Sequence, residues 1–155
     1  LAKALLSEFT LEKFKLNLTG RILSIDYGTK RTGLAWTDPM RIIATGLETI
    51  PTHLLLAKVS ELLITGPVTE IVVGMPLNLD GGPTDSTSQV IGLVRKLKKT
   101  YPELIVNIAD ERFTSVEAEN AIRSAGLKKS KRADKNLVNS VAAVLILQTY
   151  LGLPK

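Results

Sequence analysis

The chain has 155 residues, about the size of one ordinary domain, and its 45% hydrophobic and 23% charged content is that of a globular protein. Twenty Lys and Arg against fifteen Asp and Glu leave a net charge of +5, which suits an anionic partner, and no apolar run nears the roughly 20 residues that cross a bilayer, which argues against a membrane role. Cysteine is absent and His53 is the sole histidine, so disulfides, thiol nucleophiles, Cys-ligated metals and multi-histidine metal sites are excluded.

Residues 1–19 carry Glu8 and Glu12 among leucines and phenylalanines, and they read as an N-terminal extension packed on a domain that spans 20–152. They lack the cationic start and cleavage site of a secretory signal. A cytoplasmic protein is expected, or an organellar one if Leu1 marks a processed product. The apolar run Ile22 to Ile25 predicts a buried strand, and Asp26 stands where it stops. Gly28 and Gly33 bracket a basic turn with Lys30 and Arg31, after which a second strand runs from Leu34 to Thr37. Asp38-Pro39 marks a turn. A third extended segment, Ile42 to Ile50, contains Gly46 and predicts a bend or bulge. Leu55, Leu56, Val59, Leu62 and Leu63 fall at helical spacing within 52–64, with His53 in an exposed first turn and Gly66-Pro67 as the stop.

Glu70 to Gly74 is a short apolar strand of the kind covered on both faces. Met75 to Asp85 is a polar loop in which Asp80 reads as a turn residue. A helix is predicted over 84–100, capped by Thr84 or Asp85, and its Arg95, Lys96, Lys98 and Lys99 read as a solvated face. Leu104 to Ala109 predicts a second buried strand that ends at Asp110-Glu111-Arg112. Thr114 to Ala125 is a helix with a capping-box start and Gly126 at its end. Lys128, Lys129, Lys131, Arg132 and Lys135 form a basic run. Asp134 then caps a last helix to about Leu151.

The order predicts an α/β fold: a three-stranded antiparallel meander joined to two parallel strands, giving a mixed five-stranded sheet with helices on both faces. That layout matches the ribonuclease H-like arrangement. Without a histidine base or a cysteine nucleophile, phosphodiester hydrolysis is best served by divalent cations held by carboxylates, in two-metal sites roughly 3.5–4 Å apart. Asp26 ends the first strand and Asp110-Glu111 ends the last, so the carboxylates meet if those strands lie side by side. Structural alternatives stand beside this reading. Asp26 can simply shape the turn, and Asp110 or Glu111 can pair with Arg112 or cap the next helix. Gly28, Thr29, Lys30 and Arg31 can cradle a phosphate, in a nuclease or in the first hairpin of an actin/hexokinase-like ATPase. The ATPase needs a second domain to close on its nucleotide, and the length disfavours it.

Four ordered motifs carry a resemblance. Asp26-Tyr27-Gly28-Thr29-Lys30-Arg31-Thr32-Gly33, Val72-Val73-Gly74-Met75-Pro76-Leu77, Asp110-Glu111-Arg112-Phe113-Thr114 and the stretch 141–151 together resemble the YqgF/RuvX family from about Gly20 to Leu151. The family is described provisionally as pre-16S rRNA nucleases and earlier as Holliday junction resolvases. The resemblance implies a ribonuclease H-like nuclease that depends on Mg²⁺ or Mn²⁺. It also implies three acidic positions: Asp26, one of Asp110 and Glu111 with Glu111 preferred, and an Asp for which this chain has Asn139. Asp26, Glu111 and Asn139 are thus the expected metal ligands, with Asp110 beside them in the catalytic set. Lys30, Arg31, Arg112, Lys128, Lys129, Lys131, Arg132 and Lys135 are the expected contacts to nucleic acid, either an rRNA precursor or branched DNA. The protein is expected to be a monomer or homodimer. Asn139 also opens a second reading, a nucleic-acid-binding module with weakened catalysis.

Overall fold

The computed structural model describes residues 20–78, 80–111, 114–132 and 134–152; the expected extension 1–19 lies outside them. Strands β1 (Arg21–Asp26), β2 (Arg31–Thr37) and β3 (Ala44–Pro51) form the meander. A 3₁₀ turn, Thr52–Leu54, leads into helix α1 (Leu55–Thr65), followed by β4 (Val68–Met75), α2 (Thr87–Thr100) and β5 (Ile105–Asp110). Helices α3 (Thr114–Ser124), α4 (Lys129–Arg132) and α5 (Lys135–Leu151) complete the fold. The strand order is β3-β2-β1-β4-β5, with β1 antiparallel to β2 and parallel to β4, and β4 parallel to β5.

Side-chain alternation divides the core between the two faces. Leu23, Ile25, Ile71 and Val73 pack against Leu55, Val59 and Leu62 of α1 and Val90, Val94 and Leu97 of α2. On the other face Ile22, Ala35 and Val72 receive Ala143, Ile146 and Leu147 of α5. Behind α5, its Ala142 and Leu145 bury Ala118 of α3.

Several local expectations meet the structure directly. The β2–β3 register slips between Gly33 and Ala35, whose partners Thr49 and Gly46 leave Leu47 and Glu48 as a bulge beside Gly46. Asp38 Oδ1 accepts from the backbone N–H groups of Ile42 and Ile43, both at 2.7 Å, which fixes the turn. Asp80 Oδ1 accepts from Gly82 N at 2.8 Å, again as a turn residue. Asp134 caps α5 by accepting from Asn136 N at 2.9 Å.

Other expectations are corrected. Helix α2 starts at Thr87 with Ser86 before it and no side-chain cap, because the Thr84 and Thr87 hydroxyls both donate to Pro76 O and tie the loop to the end of β4. Strand β5 is a half-exposed edge rather than a buried strand, with Ile105 and Ile108 reaching solvent. It does not lie beside β1: β4 runs between them. Part of the basic run, to which the sequence pattern assigns no element, forms the short helix α4.

Candidate active site

Asp26 follows Ile22 and Ser24 on the α5 face of β1 by strand alternation, at the C-terminal end of the strand. It is flanked on both sides by residues without side chains. Across the antiparallel ladder its partner is Gly33, where a Cβ would collide with the carbonyl oxygen of Asn139. Glycine there lets the backbone of α5 rest directly on β2. On the parallel side, Gly74 follows Val73, the partner of Ile25, and a Cβ on Gly74 would collide with the Glu111 carboxylate. Gly74 therefore provides the space through which Glu111 reaches across β4. Glu111 itself extends the β4–β5 ladder by donating its N–H to Met75 O at 3.2 Å.

The two carboxyl groups meet. Asp26 and Glu111 share a side-chain hydrogen bond, a contact that two carboxylates make only when one of them carries a proton. Burial drives the Glu111 carboxyl up to about 9, and the negative charge and hydrogen bond of Asp26, with the charge of Asp110, push the same way. Burial also raises Asp26, while the hydrogen bond from Glu111 acts in the opposite sense. No ion pair among the described residues involves either carboxyl. The contact sets two acidic groups side by side where a cation would relieve the charge of both. Two hard oxygen donors in this state fit a divalent metal ion.

Asp110 stands at the exposed end of β5, and its charge acts on Glu111. Asn139 is placed by the close seat of α5 on Gly33 and by polar ties around it. Arg31 Nη1 donates to Asn136 Oδ1 at 2.8 Å, Thr49 Oγ1 donates to Asn136 O at 2.7 Å, and Ser140 Oγ donates to Leu47 O at 2.9 Å. Among the described residues no group of three acidic or histidine side chains converges, so the set is two carboxyls, with the Asn139 backbone seated on Gly33, the ladder partner of Asp26.

Beside this pair lies a cleft of about 1080 Å³. Gly28, Thr29, Lys30 and Arg31 of the β1–β2 turn, with Lys135, Val138 and Asn139 of α5, border one side, and Glu119 and Arg123 of α3 with Lys129 of α4 border another. Of the expected nucleic-acid contacts, Lys30, Arg31, Lys129 and Lys135 line it. Lys128 and Lys131 are exposed but do not. Arg112 and the side chain of Arg132 lie outside the described residues. Arg123 was missed by the sequence reading; it belongs to no basic run, and only its place on α3 brings it here. Gly74 falls within the Val72–Leu77 motif, but its role depends on Glu111, 37 residues away in the chain.

The strand order, with helices on both faces, defines an α/β fold of the ribonuclease H-like, RuvC-like class. Two solved structures of Thermus thermophilus RuvC share it. One is in complex with a Holliday junction substrate, at a TM-score of 0.51 and 17% identity, covering 85% of this chain and 96% of RuvC. The other reaches a TM-score of 0.52 at 16% identity, covering 87% and 98%. The family model for RuvX, described as Holliday junction resolvase, matches residues 20–152. The chain belongs to the RuvX family. Relatives from Bacteroides thetaiotaomicron and Porphyromonas gingivalis are each 46% identical, covering 84% and 87% of this chain and 95% and 98% of their own lengths. Both are named, provisionally, pre-16S rRNA nuclease.

Proposed function

We propose that this protein is a metal-dependent nuclease that hydrolyses phosphodiester bonds in structured nucleic acid, with the 5′ end of pre-16S rRNA as its substrate. One observation carries the reading: two half-buried carboxyls, Asp26 and Glu111, lie against each other at the end of β1, with Gly74 making room for Glu111, and neither is in an ion pair among the described residues. Asp26, Glu111 and the Asn139 amide would hold Mg²⁺ or Mn²⁺, which when bound supplies Lewis-acid stabilisation of the phosphoryl oxygens and lowers the pKa of an attacking water. The protein's own contribution is orientation. Gly33 and Gly74 fix how closely α5 and Glu111 approach Asp26, and Lys30 at the adjacent turn neutralises phosphate charge. The pre-16S rRNA assignment is supported by the names of the 46% identical relatives.

The test incubates the purified protein with precursor rRNA ends and with four-way DNA junctions, with each metal in turn. Cleavage of the rRNA precursor that disappears in chelator and in Asp26→Asn is the expected result. Cleavage retained in chelator would contradict the proposal, and preferred cutting of the junction would transfer the substrate to branched DNA. A second reading, a binding module with weakened catalysis, is favoured by the absence among the described residues of a third acidic or histidine side chain beside the pair. It predicts nucleic-acid binding without scission under both metals.

A further inference from the structure

The cleft next to the carboxyl pair has its own charge pattern, and part of it comes from a helix that the motifs do not include. Five cations line it, Lys30, Arg31, Arg123, Lys129 and Lys135, against two carboxylates, Glu119 and Asp134. Asp134 is occupied as the cap of α5, and Arg31 is tied to Asn136. Lys30, Arg123, Lys129 and Lys135 are in no ion pair among the described residues. Arg123 and Lys129 are exposed and belong to α3 and α4, so these helices supply cations to a cleft whose other side is the β1–β2 turn and α5. The cleft includes Gly28, two residues beyond Asp26, and Asn139, whose backbone rests on Asp26's ladder partner. Through these two residues it adjoins the carboxyl site, although neither Asp26 nor Glu111 lines it.

Its volume of about 1080 Å³ is at the top of the roughly 300–1,000 Å³ range that encloses one small molecule. That is room for a few nucleotides of one chain to lie within it, whereas a double helix could only lie across its mouth. The described residues lining it include no aromatic side chain, so the grip falls on phosphates rather than on stacked bases.

We propose that this cleft holds one unpaired phosphodiester strand leading away from the Asp26–Glu111 site, with Arg123 and Lys129 as phosphate contacts on the side opposite Lys30. The proposal rests on the nuclease reading and specifies its substrate as a strand that is single where it leaves the site. Binding follows charge: it is indifferent to base and to sugar, and it weakens steeply with salt.

The experiment measures binding of labelled oligouridylate, oligothymidylate, a mixed-sequence strand and a blunt duplex of equal length to the full chain in EDTA, over a range of KCl. The three single strands are expected to bind within about threefold of one another and at least about tenfold tighter than the duplex, with a log–log salt slope near −0.7 per phosphate contacted. Arg123→Ala and Lys129→Ala, both at exposed positions, are each expected to weaken every single strand by about three- to tenfold and to make the slope shallower by a little under one. Lys96→Ala, on the exposed face of α2, is expected to change neither. Equal or tighter binding of the duplex, strong base or sugar preference, or unchanged affinity and slope in both variants would overturn the proposal. Because no metal is present, these outcomes are independent of whether the protein cleaves.

Discussion

Two carboxylate sites occupy opposite ends of the sheet on the face that α5 covers, and they are built on opposite principles. At one end Glu70 of β4 is 5% exposed and fully answered: Arg41 Nη1 lies 3.2 Å from its Oε2, Asn107 Nδ2 donates to its Oε1 at 3.1 Å, and Tyr150 Oη donates to the same oxygen. Arg41 is itself held by Gly20 O and Thr69 Oγ1, both at 3.0 Å. At the other end Asp26 and Glu111 lie against each other, and among the described residues neither is in an ion pair. A buried carboxylate with a cation and two donors is structure. A buried pair without a cation stores repulsion that a ligand can relieve.

The contrast can be broken most forcefully at Asp26. Asp26→Asn should reduce cleavage by on the order of 10³-fold, since several kcal/mol of metal-linked stabilisation go with the carboxylate. The same change should leave melting temperature unchanged or raised, because the amide can still hydrogen-bond Glu111 and carries no charge for burial to penalise. Arg41→Ala should do the reverse. It strands a buried carboxylate and should lower stability by about 3–5 kcal/mol, read by denaturant unfolding, while activity per folded molecule stays near wild type.

The two ends should also differ in pH response. A carboxyl raised from 4.5 to about 9 means that the folded state binds more protons than the unfolded state between those limits. The contribution of Glu111 to the stability of the metal-free protein should therefore be full below about pH 4.5 and decline as pH rises towards 9. Melting curves of the Glu111→Gln variant should lose most of that decline, and those of Glu70→Gln should keep it. The smallest effect is expected at Asn139. A carboxylate there adds charge next to Asp26, so Asn139→Asp should tighten Mn²⁺ binding by about tenfold in a direct titration; unchanged binding would remove Asn139 from the ligand set.

Much of the frame was legible because it is local. The Ile22–Ile25 run, the turn at Asp38-Pro39 and the Asp134 cap follow from neighbours along the chain, and the alternation of strand and helix after Gly66 implies a parallel sheet. Asp26 and the Asp110-Glu111 pair could be placed at strand ends for the same reason. How they meet could not, since spacing does not reveal that β4 separates β1 from β5. The signal was the glycine that ends Val72-Val73-Gly74, an apolar strand giving up a side chain where Glu111 must pass. Arg31 shows what spacing leaves out: its place in a basic turn points to phosphate, and its bond to Asn136, 105 residues away, which ties the turn to α5, is visible only in the fold. The cap of α2 was misplaced because the Thr84 hydroxyl is taken by Pro76 O, a partner eight residues away.

The most direct measurement counts protons. Titrating Mg²⁺ or Mn²⁺ into the protein at neutral pH by calorimetry, in buffers of different ionisation enthalpy, reports how many protons leave as the cation enters. An Asp26–Glu111 pair that exchanges its shared proton for a cation should release about one proton per ion bound, and Glu111→Gln should release none. Cation binding to the wild type without proton release, or no cation binding at all, would contradict the account.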